Sequence, residues 1–170
     1  MVKQIVFSVL SAIVLGSCST EQNVMEQISV SDVVSSGCTS SFSARESRPE
    51  YYKAEMEKKP QMVVSVDAEG SAHFNVTDLR ANCAVSGFRP QVSSQDRDIR
   101  IILIPMGDPT NEVDCMCGFD VSFSLSNLGA DTYHLAVYSA DFTGQYDAAK
   151  PRYAGDVAFI PNKSMAVELK

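Results

Sequence analysis

What this sequence lacks narrows its chemistry before any motif is read. It has no Trp and only 2 His among 170 residues. Neither His belongs to a His-Glu-x-x-His pair, and there is no Gly-x-Ser-x-Gly elbow and no phosphate-cradling Gly-rich loop. No run of basic residues is longer than Lys58-Lys59, and the formal net charge is −7. Nucleic acid is therefore excluded as an expected partner, because a phosphate backbone demands a basic patch. The acidic balance serves solubility. Beyond residue 17 no segment is apolar enough to span a bilayer. No metal, cofactor or catalytic residue is expected.

What is present begins at the N-terminus. Lys3 precedes Ile5 to Leu15, an apolar stretch of 11 residues. That is too short for a transmembrane helix and fits a signal-peptide core. It runs into Leu15-Gly16-Ser17-Cys18. This resembles a bacterial lipobox, which implies cleavage before Cys18 and lipidation of its sulfur. By resemblance to the sorting rules of Gram-negative lipoproteins, Ser19 implies an outer-membrane lipoprotein, on the periplasmic face or the cell surface. The expected organisation is a signal peptide over 1–17, a lipidated tether over 18–25 and one β domain over 26–170. Several acyl chains together would hold the protein to its membrane partner.

After the tether the period is two. Residues 28–38 are β-branched and read as a first strand. Ser47, as a cap, with Pro49 opens a short helical or irregular insert near 47–59. Met62, Val64 and Val66 alternate with polar neighbours; a turn follows at Asp67 to Gly70; Ala72, Phe74 and Val76 then alternate again. This is a hairpin. A segment over Asn82–Val92 is broken by Gly87 and Pro90. Residues 98–104, apolar on both parities after Arg100, read as a central strand. Residues 105–112 and 141–153 are loops. Residues 132–140 put Tyr133, Leu135 and Val137 on one face. A last hairpin is expected around Asn162-Lys163. The sum is an all-β fold, an immunoglobulin-like β-sandwich of seven to nine antiparallel strands. Leu128 to Tyr133 also looks like the tyrosine-corner approach of immunoglobulin-like and fibronectin type III domains, in which the hydroxyl bonds back to the backbone.

The cysteines raise the one chemical question. Removing residues 1–17 leaves Cys38, Cys83, Cys115 and Cys117 besides Cys18. An even number in an oxidising compartment points to two disulfides. Cys115, Cys117, Phe119, Val121, Phe123 and Leu125 share one parity, so both sulfurs face the core side of an extended strand. A redox or metal thiol needs solvent and a stabilised thiolate, which such a face does not offer. Same-face Cβ atoms two residues apart lie roughly 6–7 Å apart on a strand. A disulfide wants about 3.5–4.5 Å. A direct Cys115–Cys117 bond would need a bend, which Gly118 could supply. The favoured arrangement joins each to Cys38 or Cys83 elsewhere. A zinc site built from four cysteines normally shows two short Cys pairs, and Cys38 and Cys83 stand alone.

The order His73-Phe-Asn75, Asn82-Cys83, Cys115-Met-Cys117-Gly-Phe119-Asp120 and Tyr133-His-Leu135 resembles that of small Bacteroidota-type lipoproteins. The likeness covers about Gly70–Ser139. It implies an immunoglobulin-like sandwich and an envelope address, and it carries no activity.

The remaining candidates are weak. His73 could pair with Asp120 across sheets, although a hydrogen-bonded strand histidine is the plainer reading. His134 lies opposite the Tyr133 face. Asn82 is expected to satisfy backbone groups at a strand end. Asp96 and Asp98 with Asp108, or Asp108 with Glu112, look like solvated loop charge rather than a calcium site. The expected function is a non-enzymatic structural or interaction module that presents loops 105–114 and 141–155 to a protein or glycan. The alternatives are an accessory subunit of a surface nutrient-uptake or adhesion assembly, and a thiol–disulfide oxidoreductase using Cys115 and Cys117.

Overall fold

The computed structural model describes residues 28–43, 48–111 and 113–170. The leader, Cys18, the tether, Ser47 and Glu112 lie outside the described residues. Along the chain come β1 (Ser29–Ser35), β2 (Ser40–Phe42), α1 (Pro49–Glu57), β3 (Gln61–Val66), β4 (Ala72–Asn82), β5 (Val85–Gln95), β6 (Asp98–Gly107), β7 (Met116–Ser126), β8 (Thr132–Ser139), β9 (Tyr153–Ala158) and β10 (Ser164–Glu168). One sheet has the order β1-β7-β4-β3-β10, with β2 also paired to β7. The other has the order β5-β6-β8-β9. This is an all-β, two-sheet, sandwich-like fold, with one helix where the insert was expected.

Alternation explains the layers. On β7, Cys117, Phe119, Val121, Phe123 and Leu125 all turn inward and are at most 2% exposed. Met62, Val64 and Val66 of β3 and Phe74 and Val76 of β4 join them from the same sheet. Ile99, Ile101 and Leu103 of β6 and Leu135 and Val137 of β8 meet them from the other. Phe74 stacks on Phe123 at 4.9 Å, and Phe88 meets Phe119 edge-on at 5.6 Å. Such pairs add about 0.5–1.5 kcal/mol beyond burial alone. Strand β6 is apolar on both parities because its outer face is also covered. There Ile102, Ile104 and Tyr138 form a second small cluster, roofed by Tyr146 of the 141–152 loop.

Several details differ from the sequence reading. The strand number exceeds seven to nine because the three-residue β2 is too short to show a period. Pairing is antiparallel except between β6 and β8, which run parallel. The chain leaves one sheet after β6, runs β7 in the other and returns, which is the long crossover that parallel neighbours need. Strand β5 runs through Pro90 without a break, and at Gly87 the interruption is a register shift in its ladder with β6 rather than an end of the strand. Pro90 is tolerated because β5 is an edge strand, where a missing N–H costs no ladder bond. The last two strands are not a hairpin: β9 pairs with β8 and β10 with β3, in different sheets. Finally, α1 is capped at Arg48, without a side-chain bond, and Pro49 opens its first turn.

Candidate functional site

Strand β7 is the spine of the larger sheet, with β1 on one side and β4 on the other. Its first residues collect the chain's four downstream cysteines. Cys38 is bonded to Cys117 with Cα atoms 5.4 Å apart, and Cys83 to Cys115 at 5.6 Å. The two members of Cys-Met-Cys thus take separate distant partners. Cys117 lies on the core face of β7 and is 0% exposed. Cys115 lies just before the strand and is half-buried.

The location explains the pairing. Cys83 stands where the chain passes from β4 to β5, and Cys115 where it comes back from β6 to β7. These two inter-sheet crossings run side by side: the Cys83 N–H donates to the Cys115 carbonyl at 3.1 Å. Asn82 ties the same crossings together. Its Nδ2 donates to the Val113 carbonyl at 2.6 Å, while its Oδ1 accepts the N–H groups of Ala84 and Val113 at 2.9 and 3.2 Å. The expected role of Asn82 at a strand end is what this geometry provides. On the other side, Cys38 ties the β1–β2 connection to β7, beside the Thr39 N–H and hydroxyl bonds to the Gly118 carbonyl.

Both histidines sit on outer faces, and each finds a carboxylate. His73 does not pair with Asp120. Its Nδ1 shares a hydrogen bond with Ser124 Oγ at 2.9 Å, and its Nε2 meets Asp67 Oδ2 at 3.0 Å. Asp120 instead accepts the Asp78 N–H through Oδ1 and, through its backbone, exchanges bonds with Ser36. The hydrogen bond with His73, followed by the Ser71 N–H, holds the Asp67 carboxyl below its usual range. Aspartate, imidazole and hydroxyl in a row invite comparison with a hydrolase relay. Here, however, Ser124 is 6% exposed on a strand flanked on both sides. Its backbone lies between the ladders of β1 and β4, whereas acyl transfer needs convergent free N–H donors for the oxyanion. The row locks the β3–β4 turn onto β7. His134 Nδ1 lies 3.0 Å from Asp156 Oδ1, its direct cross-strand neighbour on β9. It borders a shallow groove of about 340 Å³ with Arg100, Tyr138 and Ser93.

A charged cluster that sequence reasoning missed docks α1 onto the sheet. Arg80 Nη2 reaches Glu55 Oε2 at 3.0 Å and Asp78 Oδ1 at 2.7 Å, and its guanidinium lies over the Phe42 ring at 5.2 Å. Lys58 bonds the other oxygen of Glu55, and this bond is the main cause that holds the Glu55 carboxyl below its usual range. The available signal was the single Arg of β4, beside Asp78, together with a Glu on the insert upstream.

The two loops expected to present binding groups are braced by the same device. Asp108 Oδ1 accepts the Thr110 N–H and hydroxyl at 2.9 and 2.6 Å. Asp141 Oδ1 accepts those of Thr143 at 2.8 and 2.7 Å, and the Gln145 N–H at 2.9 Å. Asp98 and Asp108 stand at opposite ends of β6, about 30 Å apart at the rise of a strand, so they do not gather around one ion. Among the described residues no group of three or more His, Cys, Asp or Glu is placed to hold a metal.

Compared with known protein families, with curated proteins and with solved structures, the chain shows no match. Its function must therefore be argued from its own residues.

Proposed function

We propose that this chain is an extracytoplasmic lipoprotein whose rigid immunoglobulin-like domain serves as a non-catalytic interaction module. The observation that carries the reading is the use of the cysteines. Every cysteine after Cys18 is engaged in a bridge between segments far apart in sequence, and such bridges persist in oxidising compartments. The Leu15-Gly16-Ser17-Cys18 pattern adds the anchor. The immunoglobulin-like part is supported by Tyr133, whose hydroxyl accepts the Gly129 N–H at 3.0 Å where the chain turns from one sheet to the other. Just after β1, Cys38 fastens the chain to the spine of the sheet. The Asx-braced loops at 108–110 and 141–145 present a fixed surface to a protein or glycan partner.

Two measurements test this. Cells fed labelled palmitate should label the wild type and deposit it with the outer membrane. Cys18→Ala should lose the label and leave the membrane fraction; equal labelling of both would end the anchoring reading. Thiol titration of the native protein should find no free thiol on the four downstream cysteines. A reactive thiol at Cys115 or Cys117 would favour an oxidoreductase instead.

A further inference from the structure

The two disulfides touch each other. Cys117 Sγ, bonded to Cys38, lies 3.5 Å from Cys83 Sγ, bonded to Cys115. The four sulfurs therefore follow one another in the order Cys38, Cys117, Cys83, Cys115. Their surroundings are graded. Cys38 is exposed, Cys115 half-buried, and Cys117 0% exposed. Cys117 belongs to the core cluster and Cys83 packs against it. Cys83, like Cys115, is half-buried, so the gradient runs from the exposed Cys38 to the fully buried Cys117.

The geometry points to a thiol–disulfide exchange relay in which one electron pair converts the two native bridges into a single crossed bridge, Cys83–Cys117, with free thiols at Cys38 and Cys115. The steps balance. A thiolate of an external dithiol attacks Cys38 Sγ, forms a mixed disulfide there and expels Cys117 as thiolate. Cys117 attacks Cys83 Sγ at 3.5 Å, forms the crossed bridge and expels Cys115 as thiolate, which takes a proton from water. The second thiol of the reagent then closes on the first, leaves Cys38 as a thiol and departs as a cyclic disulfide. Two electrons and two protons have entered. Entry at the Cys83–Cys115 bridge, with release of Cys83 thiolate, reaches the same product by displacing Cys38.

Burial decides the resting place of the remaining bond. A thiolate is stable where water and donors reach it and is disfavoured in apolar surroundings. Exchange runs toward expulsion of the better-stabilised thiolate. Of the four sulfurs, Cys117 is the costliest to leave as a charged thiolate and Cys38 the least costly. The crossed state keeps β4 and β7 joined at the core while it releases the 36–42 segment and the 108–115 loop from their covalent ties. It also offers two thiols for mixed disulfides with a dithiol protein. The relay would make these two segments responsive to the reducing power of the compartment. It does not depend on the lipid anchor or on any binding partner.

Chemistry of the chain itself makes the test clean. Cyanogen bromide cleaves after Met25, Met56, Met62, Met106, Met116 and Met165, which puts each of the four cysteines on its own fragment, in acid that halts exchange. The oxidised full-length protein is treated at neutral pH with one equivalent of dithiothreitol, trapped with N-ethylmaleimide in acid, cleaved and mapped by mass spectrometry. The expected majority species joins fragment 63–106 to fragment 117–165, with Cys38 and Cys115 alkylated. If the single-bridge protein instead retains mostly Cys38–Cys117 or Cys83–Cys115, the relay is overturned. As a second arm, the Cys38→Ser/Cys115→Ser double variant should close a Cys83–Cys117 bond under the oxidation that closes both native bridges. Two persistent thiols in a folded variant would count against the relay. The wild-type measurement stands on its own if that variant does not fold.

Discussion

At the scale of single residues, the most informative groups are polar ones held by one or two bonds. The Tyr133 ring packs edge-on against Phe159 at 5.3 Å, so its body belongs to the core while its hydroxyl reaches back to Gly129. Tyr133→Phe keeps the packing and removes only the acceptor. It should cost about 1 kcal/mol, a typical net hydrogen bond. A lower urea midpoint with an unchanged slope would show it. Acid should act through Asp67 and Glu55. Both carboxyls are held below their ordinary range, Asp67 chiefly by its bond with His73 and Glu55 chiefly by Lys58. A group whose pKa is depressed on folding contributes fully above its unfolded value, near 4, and loses that contribution as pH falls through the folded one. Stability should therefore decline below about pH 4. In Asp67→Asn the decline should be shallower, because that group no longer titrates. Urea midpoints measured between pH 2 and 7 on both proteins check this, and identical slopes would remove Asp67 from the explanation.

At the scale of elements, β7 and β4 carry the fold. Their ladder is interrupted once, where Val76 faces Val121 but Leu79 faces Phe119. The extra residue falls at Asp78, which adopts φ 64 and donates its N–H to Asp120. This bulge resets the parity of β4, so Leu79 points inward after Val76, with two residues rather than one between them. The same kind of shift at Asp32, with φ 52, leaves Val33 and Val34 exposed on β1. The disulfides then secure the start of β7. They close sequence separations of 79 and 32 residues. In the chain-entropy model the longer is worth roughly 4–4.5 kcal/mol and the shorter roughly 3.5–4 kcal/mol. Paired alanine variants, Cys38→Ala/Cys117→Ala and Cys83→Ala/Cys115→Ala, should both lose stability by these amounts in denaturant titrations. The first pair should lose slightly more, since Cys117→Ala also removes a fully buried side chain. A loss below about 1 kcal/mol in either pair would contradict the constraint model.

At the scale of the whole molecule, one apolar cluster joins both sheets and includes residues from β3 to β9 together with Leu169, near the end of the chain. The second cluster is small and lies outside the four-stranded sheet, under the 141–152 loop. A domain with a single dominant core should unfold in one cooperative transition. Because the chain has no Trp, the tertiary probe is tyrosine. Near-ultraviolet tyrosine dichroism and far-ultraviolet strand dichroism should give the same midpoint. An earlier loss of the tyrosine signal would mean that the 141–152 loop, with Tyr146 on Tyr138, opens as a separate unit. The disulfides and the α1 salt cluster meet the sheet where β4 ends and β7 begins. The first residue of β1, Ser29, faces Ser126 at the opposite end of β7.

Periodicity by itself determined the class and most of the strands. Alternation of period two over 62–66, 72–76 and 117–125 admits one buried face, and the apolar run over 101–104 demands cover on both faces. Parity likewise determined that Cys117 faces the core, because the direction of a strand side chain is a local property. Tertiary structure alone decided the rest. Which cysteine meets which depends on two inter-sheet crossings that lie side by side in space and 32 residues apart in sequence. The parallel β6–β8 pair, the parting of β9 from β10, and the carboxylate partners of His73 and His134 depend on which strands become neighbours. Alternation names the face that a residue shares. It carries no record of the strand that will lie beside it.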